Sequence, residues 1–105
     1  MPIQLTIWER RDGGSRETIA NTILEVCRIF RKEKGITSSR FYWSGTEAIV
    51  HLTEGETAAL NNRGQSSPVD ATRLTFTLAD NARQTLSIRL MEPRASAETY
   101  RSAGR

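Results

Sequence analysis

The sequence predicts a single α+β domain of element order β-α-β-β-α-β, an antiparallel sheet with two helices on one face. Three observations carry that reading. Residues 3–8 and 86–91 alternate apolar with polar side chains, the period of a strand. Residues 15–34 and 67–83 carry helical spacing behind good N-capping residues. Between the helices, residues 36–53 (ITSSRFYWSGTEAIVHLT) place two strand-forming runs around a turn.

In the first strand Ile3, Leu5 and Ile7 alternate with Gln4, Thr6 and Trp8, until Asp12-Gly13-Gly14 breaks the pattern. Ser15 is a natural N-cap for a helix running to about Lys34. Glu17 sits in its first turn, and Ile19, Ile23, Val26, Cys27 and Phe30 form an apolar stripe before Gly35 ends it. The hairpin is then expected to turn on Ser44-Gly45, with Gly where φ can be positive. That turn pairs Trp43 with Thr46, Phe41 with Ala48, Ser39 with Val50 and Ser38 with His51. It sets Thr37, Ser39, Phe41, Trp43, Thr46, Ala48, Val50 and Leu52 on the expected core face. Ser38, Arg40, Tyr42, Glu47, Ile49 and His51 fall on the other face, and a one-residue slip would exchange the two.

Glu54-Gly55-Glu56 opens a short stretch of helical potential through Leu60, followed by a polar loop over residues 61–67 that is expected to be mobile. Ser67-Pro68-Val69-Asp70 reads as the start of the second helix, with Val69, Leu74, Leu78 and Ala82 as an incomplete stripe. Leu74, Phe76 and Leu78 also alternate as a strand would. The capping signal and residues 79–83 favour helix. In the last strand Leu86, Ile88 and Leu90 alternate with Ser87, Arg89 and Met91, and Pro93 stops it. The domain is therefore expected to span residues 1–93. Residues 94–105 are expected to form a tail with a helical turn over 95–100.

The 105 residues suit one core, and 37% hydrophobic with 26% charged residues fits a soluble globular chain without a membrane span. A single cysteine and a first strand in place of a leader segment make the cytoplasm the expected compartment. The net charge of +3 is too small for a nucleic-acid surface, and Arg28, Arg31, Lys32 and Lys34 complement the end of the first helix.

His51, the one histidine, titrates nearest neutrality. With Tyr42 on the same predicted face it is the candidate acid/base pair; its bland alternative is a hydrogen-bonded residue at a dimer interface. Trp8, Phe41 and Trp43 could line a pocket for a flat organic molecule, or simply pack in the core. Arg40 and Arg89 could grip an acidic ligand, although Arg40 can equally pair with Glu47. Cys27, on the buried stripe, reads as an inert small hydrophobe. Neither a cofactor nor a metal site is expected.

The element order is that of the ferredoxin-like fold. Its uncovered face would carry Trp8, Tyr42, Ile49 and Met91, too apolar for plain solvent surface, so two sheets packed face to face are expected. From IQLTIWE through RFYWSGTEAIVHL to TLSIRLMEP the chain resembles the dimeric α+β barrel superfamily, which includes antibiotic-biosynthesis-type monooxygenases and stress-responsive barrel proteins. The resemblance implies a homodimer with a cavity between sheet and helices. It implies a small hydrophobic or aromatic ligand and cofactor-independent monooxygenase or isomerase chemistry. A non-catalytic dimeric ligand-binding or assembly module is the alternative. Met1-Pro2-Ile3 also resembles the tautomerase superfamily, in which an N-terminal proline is the general base. The tight hairpin departs from the parallel strand pair of that family, and Pro2 otherwise simply begins a strand.

Overall fold

The computed structural model describes residues 1–91; the expected domain end at 93 and the tail of 94–105 lie outside the described residues. The elements are β1 (Ile3–Arg10), α1 (Arg16–Arg31), β2 (Ile36–Ser44), β3 (Ala48–Gly55), a short α2 (Thr57–Asn61), α3 (Pro68–Asn81) and β4 (Ala82–Leu90). The strands form one antiparallel sheet in the order β2-β3-β1-β4, with α1 and α3 on one face. This is the α+β, ferredoxin-like arrangement that the element order predicts. β1 lies between β3 and β4 and does not touch β2, so the parallel pair of the tautomerase pattern is absent among the described residues. Pro2 leads into β1, its carbonyl accepting from the Gly55 N–H at 3.3 Å.

Local chemistry explains the helix ends. The Ser15 hydroxyl accepts from the Thr18 N–H at 3.1 Å, satisfying one of the donors that the first turn leaves unpaired. α1 ends at Arg31, three residues before the expected Lys34, and the chain passes through Gly35 into β2. α3 starts with Pro68 as expected, although the Ser67 side chain makes no capping bond.

The hairpin register differs from the expected one. Ser44 pairs with Ala48, Trp43 with Ile49, Phe41 with His51 and Ser39 with Thr53, around a three-residue turn of Gly45, Thr46 and Glu47. The reason lies outside the hairpin. Arg10 donates to both carboxylate oxygens of Glu47, at 2.6 and 2.7 Å, and the Arg10 N–H donates to the Glu47 carbonyl at 2.7 Å. Glu47 is thereby held against β1 instead of facing Tyr42. The change exchanges the faces of β3, putting Ile49 and His51 under the helices and Val50 and Leu52 on the uncovered side.

β1 follows the same inversion. Trp8 pairs with Ile49 and Thr6 with His51 on the helix side, so Trp8 and Ile49 are not on the uncovered face where they were expected. Ile3, Leu5 and Ile7 take that place. In β4 the register shifts opposite Ile7 and Trp8, leaving Thr85 as an extra residue between Gln84 and Leu86. The bulge switches the facing along the strand. Ala82 stays in the core, while Leu86, Ile88 and Leu90 join Ile7, Leu5 and Ile3 on the open side.

The core sits at the hairpin end of the covered face. Ile19, Ile23 and Cys27 of α1 meet Ile49, Leu78 and Ala82, with Trp8, Phe41 and Trp43 packed against them. Each fully buried aliphatic side chain there contributes about 1.5–3 kcal/mol. The Arg16 guanidinium lies 4.1 Å above the centre of the Trp43 ring and closes that end. Among the described residues no helix is long and apolar enough to cross a membrane.

Candidate functional site

Beyond the core, the covered face turns polar. Gln4, Thr6, Ser39, His51 and Thr53 are all buried there, because β1, β2 and β3 present these polar residues to the helices. The helices do not close completely over this row. A cavity of about 350 Å³ remains, within the size range of small-molecule sites. Thr6, Trp8, His51 and Gln84 rise into it from the sheet. Val26, Ile29 and Phe30 of α1 face Leu74, Thr75 and Leu78 of α3 across it.

Arg63 and Gly64 complete the lining. The loop that carries them is tied down on both sides of Gly64. The Glu33 carboxylate accepts from the Gly64 N–H at 2.7 Å and from the Ser66 hydroxyl at 3.1 Å, and the Ser67 N–H donates to the Gly64 carbonyl at 3.2 Å. Gly64 adopts φ +87°, and a Cβ there would lie 3.3 Å from that of Ala71. Only glycine meets both conditions without strain.

His51 is held from behind. Its Nε2 lies 2.9 Å from Ser39 Oγ and 3.3 Å from Thr53 Oγ1, and those two hydroxyls are 3.0 Å apart. Phe30 stacks on the imidazole with centroids 5.8 Å apart and planes 19° from parallel. Burial, and then the Arg63 charge, pull the His51 pKa down to about 4. The imidazole is therefore neutral at physiological pH. Its hydrogen bonds among the described residues all run through Nε2, which leaves Nδ1 without a partner among them. Ser39 and Thr53 are themselves fully buried and hold the ring from behind.

Burial pushes the Cys27 thiol up, against the opposing effects of a hydrogen bond to Ser39 and of the Arg31 charge, so it stays protonated. Arg63 donates to the Leu60 carbonyl at 2.6 Å. Arg89 donates to the side-chain oxygens of Gln4 at 2.8 Å and Asn61 at 2.9 Å. Among the described residues no three His, Cys, Asp or Glu side chains converge as metal ligands do.

The candidates read from the sequence divide among three places. His51 and Trp8 line the cavity; Arg89 does not line it, although its charge acts on Arg63, which does. Phe41 and Trp43 pack against the core. Tyr42 and Arg40 lie on the opposite face of the sheet, with Val50 and Leu52 as their partners, so the expected pairing of Tyr42 with His51 on one face does not occur. Phe30, Arg63 and Leu74 were not singled out from the sequence. Phe30 and Leu74 sit on predicted helical stripes, where a cavity wall and a filled core have the same periodicity.

No family model matches the chain, and no curated protein does. Solved structures do. SnoaB from Streptomyces nogalater, described as a cofactor-independent oxygenase, superposes with a TM-score of 0.75 over 90% of this chain and 94% of its own, at 7% identity. Rv0793 from Mycobacterium tuberculosis gives 0.69 over 90% and 97%, at 16% identity. MupZ from Pseudomonas fluorescens gives 0.67 over 97% and 75%, also at 16% identity. The chain thus shares the α+β fold of these proteins, which include one described as a putative antibiotic biosynthesis monooxygenase from Deinococcus radiodurans.

Proposed function

We propose that this protein binds a small, flat aromatic molecule between sheet and helices and oxygenates it without a bound cofactor, as a homodimer in the cytoplasm. The cavity carries the proposal: it joins aromatic and aliphatic walls to one oriented, neutral histidine with a free ring nitrogen. SnoaB, a cofactor-independent oxygenase of the same fold, supports the same chemistry. In such a reaction an electron-rich substrate supplies its own electrons. A CH2 group becomes a carbonyl, O2 takes up the four electrons, and its second oxygen leaves as water. His51 would hold the acidic hydrogen-bonding group of the substrate, while Trp8 and Phe30 exclude water from it.

Dimerisation is inferred from the open face, where Tyr42, Ile88 and Leu90 are 54%, 40% and 45% exposed beside Leu5, Ile7 and Leu52. An apolar sheet face of this kind calls for a partner, and a second copy offers the same apolar surface.

Oxygen uptake with a panel of polycyclic phenols, read beside quenching of tryptophan fluorescence, tests the proposal. Uptake without added flavin or metal is expected, falling about tenfold or more in His51→Ala. Saturable quenching with no uptake would support instead a non-catalytic binding module, a reading favoured by the weak basicity of an imidazole titrating at about 4.

A further inference from the structure

We infer that the molecule bound in this cavity carries an oxyanion, a carboxylate or an ionised phenol or enol, and that Arg63 is the residue that recognises it. The inference rests on the proposed binding site and adds the charge of its ligand. Arg63 lines the cavity and is half-buried, yet it pairs with no carboxylate among the described residues; its one hydrogen bond goes to the Leu60 carbonyl. The adjacent Arg89 is bound only by the neutral side chains of Gln4 and Asn61. The nearest acid, Glu33, has Oε1 committed to Gly64 and Ser66. His51, facing the same space, is neutral. Arg63 therefore faces the cavity with a second arginine charge acting on it and with no carboxylate bonded to it among the described residues. Burial, and then Arg89, make the charged form of Arg63 costlier, against the weaker help of Glu33.

A guanidinium at the wall of a partly apolar cavity is what a ligand oxyanion would neutralise, through a charge-assisted contact. The same charge would stabilise negative charge that develops on a bound phenol or enol as its proton leaves. The apolar walls then select the carbon skeleton, and Arg63 fixes which end points toward the loop. The alternative is purely structural: Arg63 could serve only to cap α2 through Leu60.

Matched probes separate the two. Tryptophan quenching would be titrated with 2-naphthoate and with its neutral isostere 2-naphthamide, on the wild type and on Arg63→Gln, Arg63→Lys and Arg89→Gln. The wild type is expected to bind the naphthoate about tenfold or more tightly than the amide, the scale of one charged hydrogen bond. In Arg63→Gln that ratio should fall to about twofold or less, while Arg63→Lys should keep part of it. Arg89→Gln, which leaves Arg63 in place, should retain most of it. Equal binding of the two probes by the wild type, or an undiminished ratio in Arg63→Gln, would overturn the inference and leave the binding site standing. Failure of both probes to bind the wild type would overturn the binding site as well. If Arg63→Gln does not fold, the wild-type ratio and Arg63→Lys still decide the matter.

Discussion

The two faces of the sheet have exchanged their usual characters. The helix-covered face is polar over half its length, with Gln4, Thr6, Ser39, His51 and Thr53 buried, while the uncovered face carries Ile3, Leu5, Ile7, Val50, Leu52, Leu86, Ile88 and Leu90. A one-layer protein meant to stay monomeric would do the reverse. The arrangement teaches that burial has two purposes here. Under the helices, polar groups are enclosed because they face a cavity and one another. On the other side, apolar groups are left open, as the proposed pairing with a second sheet requires.

The strongest way to break that contrast is to charge the open face. Ile88→Glu would place a carboxylate inside the proposed dimer at a cost of roughly 3 kcal/mol or more, weakening association about 100-fold. Light scattering should then report a monomer; an unchanged dimer would show that this face is not the interface. At the core end of the other face, Ile49 is fully buried, and Ile49→Ala should lower unfolding stability by about 3 kcal/mol in denaturant titrations.

His51 supplies a pH signature of similar size. Its folded pKa, about 4, lies below its ordinary 6.5, so the unfolded chain takes up the proton first. Stability from this group is fully present above pH 6.5 and is lost as pH falls toward 4, by an amount on the order of 2–3 kcal/mol. Denaturation at stepped pH should show that slope in the wild type and a shallower one in His51→Gln. Ser39→Ala removes one of the two hydroxyls behind the ring and should cost about 1 kcal/mol, with His51 titrating at a shifted pH by NMR. The smallest change is expected from Glu47→Gln, which weakens an exposed ion pair with Arg10 yet leaves the backbone bond between those residues intact. Thermal denaturation indistinguishable from wild type would fit, and a large loss would mean that the carboxylate itself sets the hairpin register.

Much of the architecture was legible in the chain. Ser15, Pro68 and the alternating strands carry local signals, and local signals determine where elements begin and what kind they are. The facing of β2 was legible for the same reason. The facing of β3 was not, because the turn is tied to β1 by the backbone bond from Arg10 to Glu47, residues far apart in the chain. β1 shows a second limit. Alternation reveals that Ile3, Leu5 and Ile7 share a side, but it does not say whether helices or another sheet will cover them. Arg63 was hidden further still: in a polar loop an arginine that lines a cavity looks like any other, and only the fold brings it to the same cavity as His51.

The junction of α3 and β4 has a mechanical consequence. Asn81 ends the helix and Ala82 begins the strand, with no residue between them. The Asn81 carbonyl accepts from the Arg11 N–H at 2.9 Å, its side-chain oxygen accepts from the Ser15 N–H at 3.0 Å, and a Cβ on Gly14 would come within 2.2 Å of that carbonyl. The joint has no slack. α3 supplies one wall of the cavity through Leu74 and Leu78, and β4 supplies Ile88 and Leu90 to the open face. One tight joint therefore connects a wall of the cavity to the strand that carries the open face.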